Sequence, residues 1–197
     1  MIKHLPRKKA LWLAIGMINK KLSSFAHWVQ CTVCNDNGGY LRKLEMTVAI
    51  GCDHAGFELK NEILSLLHKL NIESIDYGTD SQKSVDYPDF GEKVSQSVST
   101  GKTERGILIC GTGIGMSIVA NKFPKVRASL CNDLFTAKMS RLHNNANILV
   151  LGGRIVGKGL AEEIVKVWLS TPFEGERHCM RLNKITRIEE RINKNGF

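Results

Sequence analysis

The sequence predicts an α/β protein, a doubly wound, five-stranded parallel sheet with an additional helix at its C-terminus. Two observations predict this class. From Met46 onward, short apolar runs alternate strictly with segments whose apolar residues recur at helical spacing. Such alternation is typical of parallel βαβ units, in which right-handed crossovers place helices on both faces of one sheet. A last helical segment, at about 175–194, has no strand after it.

The first two strands and their helices are predicted between residues 47 and 100. Residues 47–51 are small or β-branched, as in a strand that is buried on both faces. Residues 58–70 repeat leucine and isoleucine every three or four positions, which predicts an amphipathic helix. A second strand follows at 72–76. Asp89 comes after a proline-containing turn and is placed to cap a helix that ends near residue 100.

The rest of the domain continues the same alternation and then adds the C-terminal helix. Each of the three remaining predicted strands is five residues long, and a predicted helix follows each of them after a short turn. In chain order, these elements are a strand at 106–110, a helix at 114–121, a strand at 126–130, a helix at 134–142, a strand at 147–151, a helix at 157–169 and the polar helix at about 175–194. Together the elements predict a Rossmann-like architecture.

The charge distribution separates two parts of the chain. The formal net charge is +9, but residues 1–45 hold eight lysines and arginines against two acidic residues. The remaining 152 residues therefore carry an excess of only three positive charges. This balance argues against nucleic-acid binding by the main domain. No apolar run approaches the about 20 residues that a membrane-spanning helix needs, so we expect no membrane partner.

Residues 1–45 differ in composition from the rest and are interpreted as an N-terminal extension outside the catalytic fold. They begin with a basic stretch and a short apolar segment at 10–18, and they contain a lone C-x-x-C at Cys31 and Cys34. A targeting segment and a small functional arm are the alternatives. We assign residues 46–197 to the functional domain. Six cysteines without an obvious pairing pattern favour a reducing compartment, so we expect the cytoplasm.

The residues that carry chemistry follow the predicted strands, where ligands bind in open parallel sheets. Asp53 and His54 follow the first strand, and the glycine-rich loop Gly111–Gly115 follows the third. Three glycines in five residues, between a strand and a helix, let backbone N–H groups converge on an anion. The loop is not a dinucleotide fingerprint, because Met116 stands where the last glycine belongs. A tight turn that binds nothing is the alternative interpretation.

Four further residues have both a functional and a plain structural interpretation. Cys110 directly precedes the glycine loop, whose amides favour a thiolate, although an inert buried thiol is the alternative. Arg177 and Arg181 lie one helical turn apart, which suits a phosphate between them or a solvated basic face. His143 precedes a strand in a predicted loop, where an imidazole moves protons or simply lies at the surface. Together they suggest a small phosphorylated substrate, and no metal-binding cluster is evident.

These motifs resemble those of ribose-5-phosphate isomerase type B, a family that includes the galactose-6-phosphate isomerase subunits. The likeness extends from Met46 to about Arg191, with every motif in order. The matching motifs are Gly51-Cys52-Asp53-His54-Ala55-Gly56, Asp86-Tyr87-Pro88, Ile109-Cys110-Gly111-Thr112-Gly113-Ile114-Gly115, Ala120-Asn121-Lys122, His143-Asn144, Gly152-Gly153-Arg154 and Glu174-Gly175-Glu176-Arg177-His178. Residues 1–45 have no counterpart in the family pattern.

The resemblance implies an isomerase of the pentose phosphate pathway that interconverts ribose 5-phosphate and ribulose 5-phosphate through an enediolate. It needs no metal and no cofactor. The resemblance makes Cys110 the base and His143 the acid that opens the sugar ring, with Asp53 and Thr112 assisting proton transfer. The implied substrate-binding residues are His54, Tyr87, Gly111, Gly113, Ile114, Gly115, Asn144, Arg154, Arg177 and Arg181. Family members are dimers or tetramers with sites at the subunit interface, so a homodimer or homotetramer is expected.

Alternative functions also follow from the same residues. A branch of the family uses a glutamate at the position of Met116, so Cys110 is the remaining candidate base in this chain. A Cys-based phosphatase needs an arginine six residues after its cysteine, where this chain again has Met116. An isomerase of a six-carbon sugar phosphate, such as allose 6-phosphate or galactose 6-phosphate, stays open. So does a sensor that binds a sugar phosphate without converting it.

Overall fold

The computed structural model describes residues 46–195 and confirms the predicted fold class. Within these residues, strands and helices alternate as predicted, and all sheet pairings are parallel. The elements are β1 (Thr47–Cys52), α1 (Phe57–Lys69), β2 (Glu73–Asp76), α2 (Tyr87–Ser99), β3 (Arg105–Cys110), α3 (Ile114–Ala120), β4 (Ala128–Leu130), α4 (Leu134–Asn144), β5 (Ile148–Gly152), α5 (Lys158–Ser170) and α6 (Glu176–Asn195).

The strand order β2-β1-β3-β5-β4 places the centre of the sheet at β1, β3 and β5. The chain moves outward from β1 in one direction to β2, then returns to β3 on the other side. The sheet therefore has its topological switch point between β1 and β3, where doubly wound proteins bind ligands. The register aligns Cys52 with Ile109, and Cys110 with Gly152. The three central strands thus end together at one edge, which we call the carboxyl edge.

The core lies in two layers, one on each face of the sheet. Successive strand residues point to opposite faces, so Ile107 and Leu108 belong to different apolar clusters. One cluster includes Trp168 of α5 and is also covered by α1 and α4, while the other is covered by α2 and α3. Cys110 belongs to this second cluster, so its side chain lies on the same face as α3.

Two of the predicted boundaries that are wrong involve site residues. Helix α2 begins at Tyr87 with Asp86 at the N-cap position, so Asp89 lies in the first turn and is not the cap. The fixed φ of proline suits the first turn of a helix, so Pro88 lies inside α2 instead of preceding it. Helix α4 continues to Asn144, so His143 lies in its last turn and not in a loop.

The chain leaves α4 through Asn145, whose φ of 44° is in the left-handed region that commonly ends helices. Strand β4 starts at Ala128, two residues later than predicted. The interpretations of residues 1–45 fall outside the described part of the chain. Within 46–195, the helices are all too short or too polar to cross a bilayer.

Candidate active site

Cys110 is the last residue of β3, and its sulfur faces the glycine loop. The residue is 5% exposed. The backbone N–H of Gly113 donates to Sγ at 3.2 Å, an interaction that stabilises negative charge on the sulfur. Gly113 has a φ of 80°, and a Cβ there would lie 2.4 Å from the Leu130 side chain. The loop therefore requires glycine at the position that directs an amide at the thiol.

Cys52 and Cys131 show what distinguishes Cys110 from the other free thiols. All three are buried and free. Burial raises the pKa of Cys52 to about 12 and also raises that of Cys131, so both are protonated at neutral pH. Neither of them lies against the glycine loop. The contact with Gly113 therefore separates Cys110 from the other two free thiols.

The glycine loop brings Tyr87 and Thr112 to the same edge. A Cβ at Gly115 would lie 2.6 Å from Cζ of Tyr87, so the phenol ring lies directly against this glycine. Tyr87 remains 38% exposed and can reach a ligand above the loop. The Thr112 side chain is exposed, and its Oγ1 accepts a long hydrogen bond of 3.4 Å from the Ile114 N–H.

Asp53 and His54 lie in the turn after β1, beside the end of β3. The Asp53 N–H donates to the Ile109 carbonyl at 3.3 Å, which joins the turn to β3. The buried carboxylate accepts from the N–H groups of Ala55 and Gly56 at 2.9 and 3.2 Å. His54 Nδ1 accepts from the Val85 N–H at 3.2 Å, so the neutral ring carries its proton on Nε2.

Arg154 follows β5 and completes the group at the carboxyl edge. Its N–H donates to the Gly111 carbonyl at 3.0 Å, and the neighbouring Gly153 N–H donates to the Cys110 carbonyl at 2.7 Å. The exposed side chain of Arg154 lies 3.6 Å from where a Cβ of Gly111 would be. The structure thus brings together most of the predicted site residues, namely Asp53, His54, Tyr87, Cys110, Gly111, Thr112, Gly113, Ile114, Gly115 and Arg154.

The remaining predicted residues, His143, Asn144, Arg177 and Arg181, lie at the other edge of the sheet. Helix α4 begins after the carboxyl end of β4 and leads into the start of β5, where Ile148 pairs with Gly106 near the start of β3. Eleven residues of helix extend about 16 Å. The Glu174 N–H donates to the Leu142 carbonyl at 3.0 Å, which holds the start of α6 against the end of α4.

At this amino edge, His143, Glu174 and His178 form a compact group that we call the histidine cluster. The His143 and His178 rings are stacked, with centroids 4.2 Å apart and planes within 6°. One Glu174 oxygen, Oε2, lies 3.7 Å from His143 Nε2 and 3.5 Å from His178 Nε2. Glu174 and His178 are not among the predicted site residues, although their i, i+4 spacing within a quoted motif was a usable signal.

Two arginines surround His178. Arg177 Nε donates to His178 Nε2 at 3.4 Å, and an Arg181 guanidinium nitrogen lies 3.5 Å from Nδ1. Burial lowers the pKa of His178, and the positive charges of His143, Arg177 and Arg181 lower it further against the opposing effect of Glu174. His178 is therefore a neutral ring stacked on His143 at neutral pH. The surrounding arginines make this region positive, as a phosphate site requires.

The histidine cluster is also the group of possible metal ligands found among residues 46–195, with its three atoms within 4.8 Å of one another. Sequence analysis did not identify this group. The lone pair of each imidazole lies in its ring plane, and the two planes are parallel. These lone pairs therefore run side by side and do not converge, as ligands of a tetrahedral ion must. The arrangement suits proton exchange and anion binding better than metal coordination.

Comparison with known proteins gives a consistent result. The family model described as Ribose/Galactose Isomerase matches residues 48–185. Ribose-5-phosphate isomerase B of Escherichia coli is 48% identical over 146 residues, covering 74% of this chain and 98% of that protein. The structure of Clostridium thermocellum ribose-5-phosphate isomerase B is 53% identical with a TM-score of 0.73, covering 74% of this chain and 99% of that one. D-erythrulose-4-phosphate isomerase of Pectobacterium atrosepticum is 41% identical over 145 residues, covering 73% of this chain and 95% of that protein.

Proposed function

The chain belongs to the ribose/galactose isomerase family, and we propose that its reaction is the interconversion of ribose 5-phosphate and ribulose 5-phosphate. One observation carries the proposal, which is the buried sulfur of Cys110 facing the glycine loop and receiving the Gly113 N–H at 3.2 Å. A sulfur beside converging backbone amides suits proton transfer next to a carbonyl. The identity with the Escherichia coli relative supports the five-carbon substrate.

In the proposed reaction, the Cys110 thiolate removes the proton from C2 of the open-chain aldose. The C2–H electron pair forms the C1–C2 double bond, and the C1 carbonyl oxygen takes up the negative charge. The amides of the Gly111–Gly115 loop stabilise this enediolate. Cys110 then returns the proton to C1, while the hydroxyl on C2 loses its proton and becomes the ketone. Asp53 and Thr112 assist the proton transfers between sugar oxygens.

The second half of the proposed mechanism belongs to the amino edge. His143 is the acid that opens the furanose ring, and Arg177 and Arg181 bind the phosphate together with His54 and Arg154. Tyr87 and Asn144 orient sugar hydroxyls. Binding the phosphate holds the reacting carbons in place, so that interactions away from the reacting centre lower its barrier.

Because one chain holds these two sets at opposite edges of its sheet, we propose that a second copy of the chain completes each site. The histidine cluster and arginines of one copy would then face Cys110 of the other, in a homodimer or homotetramer. Exposed apolar side chains around the carboxyl edge support such an interface. They are Ile114, Ile118, Leu134, Phe135 and Ile155, of which Phe135 is 70% exposed.

The proposal also covers the cofactor requirement and the cellular location of the protein. The reaction uses no cofactor and no metal, since the residues named above supply every proton transfer. We also propose a location in the cytoplasm, since the six cysteines of the sequence show no obvious pairing pattern.

The test is an assay of the full chain with ribose 5-phosphate, following ribulose 5-phosphate in excess EDTA. We expect turnover that EDTA does not reduce. Allose 6-phosphate, galactose 6-phosphate and D-erythrulose 4-phosphate are assayed in parallel. A larger kcat/KM for any of them would replace the proposed substrate. Saturable binding of ribose 5-phosphate without turnover of any sugar phosphate would instead identify a sensor.

A further inference from the structure

Two arginines flank the buried indole of Trp168, and they connect to different parts of the molecule. The guanidinium carbons of Arg105 and Arg141 lie 5.2 and 5.7 Å from the centroid of the Trp168 ring. Arg105, at the start of β3, donates to the carbonyls of Trp168 and Leu169 at 3.3 and 2.9 Å. Arg141 lies in α4, two residues before His143, and instead contacts the residues where the chain leaves this helix. Arg141 is therefore a candidate for a functional role, and Arg105, which contacts the same ring, is its matched control.

Arg141 is 5% exposed, and its guanidinium group binds three separate backbone or side-chain oxygens. It donates to the Ala146 carbonyl at 2.6 Å and to Asn145 Oδ1 at 2.8 Å. Both acceptors lie where the chain leaves α4. Its Nε also donates to the Thr171 carbonyl at 3.3 Å, in the segment that follows α5. Arg141 thus joins the end of α4 to the segment that leads into α6.

That segment carries the partners of His143. Residues 171–175 contain Glu174, whose Oε2 lies 3.7 Å from His143 Nε2 and 3.5 Å from His178 Nε2, and they lead directly to Arg177 and His178. The segment is held to α4 at two points, by Arg141 on Thr171 and by the Leu142 carbonyl on the Glu174 N–H. A shift of either element changes the stacking of His143 and the distance from Glu174 to both rings.

We propose that Arg141 is a positioning residue that holds His143 in the orientation needed for ring opening, an inference that rests on the proposed function. Arg141 touches no substrate and acts through the end of α4 and the 171–175 segment. Arginine is required because its planar fork reaches three acceptors at once, whereas lysine presents a single point charge. Misplacing a reacting group by about 1 Å can reduce a rate by about 100-fold.

The chemistry of the two sugar phosphates separates ring opening from proton transfer at carbon. Ribose 5-phosphate closes a furanose ring through its C4 hydroxyl, so the isomerase must open it. Ribulose 5-phosphate cannot close the corresponding ring, because the oxygen on C5 carries the phosphate. Exchange of the C1 hydrogens of ribulose 5-phosphate with D2O therefore reports Cys110 chemistry alone. Conversion of ribose 5-phosphate reports both steps.

The experiment compares Arg141→Lys with Arg105→Lys in the full chain. We expect Arg141→Lys to lower kcat for ribose 5-phosphate by about ten-fold or more, while C1 exchange into ribulose 5-phosphate stays within about two-fold of the unsubstituted protein. Arg105→Lys, which alters contacts of the same indole, leaves both rates within about two-fold. Equal loss of both rates in Arg141→Lys, or equal effects in the two variants, would overturn the inference. If the unsubstituted chain converts neither sugar, the proposed function itself fails.

A second variant, Asn145→Gly, and a second measurement, a deuterium isotope effect, test the same inference independently. Asn145→Gly removes one acceptor of Arg141, and glycine suits the φ of 44° at that position. This variant should also lower kcat for ribose 5-phosphate more than the rate of C1 exchange, by a smaller factor than Arg141→Lys. A selective loss of C1 exchange would contradict the inference. Where exchange in the unsubstituted protein is too slow to follow, ribose 5-phosphate deuterated at C2 replaces it. Slower ring opening lowers the isotope effect on kcat/KM, whereas damage at Cys110 or partial unfolding does not.

Discussion

The two halves of the candidate site are held in place by different kinds of interaction. At the carboxyl edge, backbone groups do most of the positioning, as in the Gly113 N–H on Cys110 and the Val85 N–H on His54. At the amino edge, side chains position one another through the stacked rings of His143 and His178 and the carboxylate of Glu174. The first half therefore depends on strand register and glycine geometry, and the second depends on charge and protonation.

This contrast predicts that the largest effect on catalysis comes from Cys110, the carboxyl-edge side chain that is proposed to take the proton from carbon. Cys110→Ala should retain the fold and sugar-phosphate binding but lose at least about 1,000-fold in kcat, because the sulfur that removes the C2 proton is gone. Measurement of kcat and of ligand affinity checks this. Cys52→Ala is the matched control, a buried thiol away from the loop. Near-normal turnover by Cys110→Ala would assign the base elsewhere.

Because backbone groups position the carboxyl-edge half of the site, added side-chain atoms in its glycine loop should disrupt it. Gly113→Ala places a Cβ 2.4 Å from the Leu130 side chain at a φ of 80°. We expect unfolding free energy to fall by about 1–3 kcal/mol and kcat by about 100-fold, because the amide turns away from the Cys110 sulfur. Urea unfolding and steady-state kinetics measure the two effects. Gly157→Ala serves as the control, since a Cβ there meets nothing within 4 Å.

At the amino edge, the arginines proposed to bind the phosphate should affect affinity more than rate. Arg177→Ala is expected to raise KM for ribose 5-phosphate by about ten-fold, with kcat changed by less than about three-fold, because the phosphate loses a charged partner. Initial rates over a range of substrate concentrations check this. Arg187→Ala, an exposed position on the same helix, should leave KM unchanged. An unchanged KM in Arg177→Ala would remove this residue from the phosphate site.

The smallest predicted effect is a pH dependence of stability that comes from the amino edge. Burial and the neighbouring positive charges lower the pKa of His178, so the unfolded chain binds a proton there more readily than the folded chain. Its contribution to stability is therefore complete above the ordinary histidine pKa of about 6.5 and is lost as the pH falls below it. Urea midpoints at pH 7.5 and 5.0 test this. His178→Phe keeps an aromatic ring and should reduce the change between the two pH values.

Much of the fold could be predicted because it depends on local pattern. Alternating apolar runs and helical stripes identified every strand and helix between Met46 and Asn195, within a few residues at each end. The placement of Asp53, Cys110 and the glycine loop at one edge also followed, since parallel strands share their carboxyl ends. The boundary errors at Asp89 and His143 arose where two nearby residues could each begin or end a helix, which local sequence does not decide.

The sequence by itself determined the parallel sheet and the placement of Asp53, Cys110 and the glycine loop at its carboxyl edge, because strand periodicity and glycine spacing act over a few residues. Only the tertiary structure decided that His143 lies at the opposite edge from Cys110, that Glu174 and His178 lie beside it, and that Arg141 joins the end of α4 to the segment before α6. Those contacts join residues about 30 positions apart, such as Arg141 and Thr171. They depend on how α4, α5 and α6 pack against one another, and no short-range pattern specifies that packing.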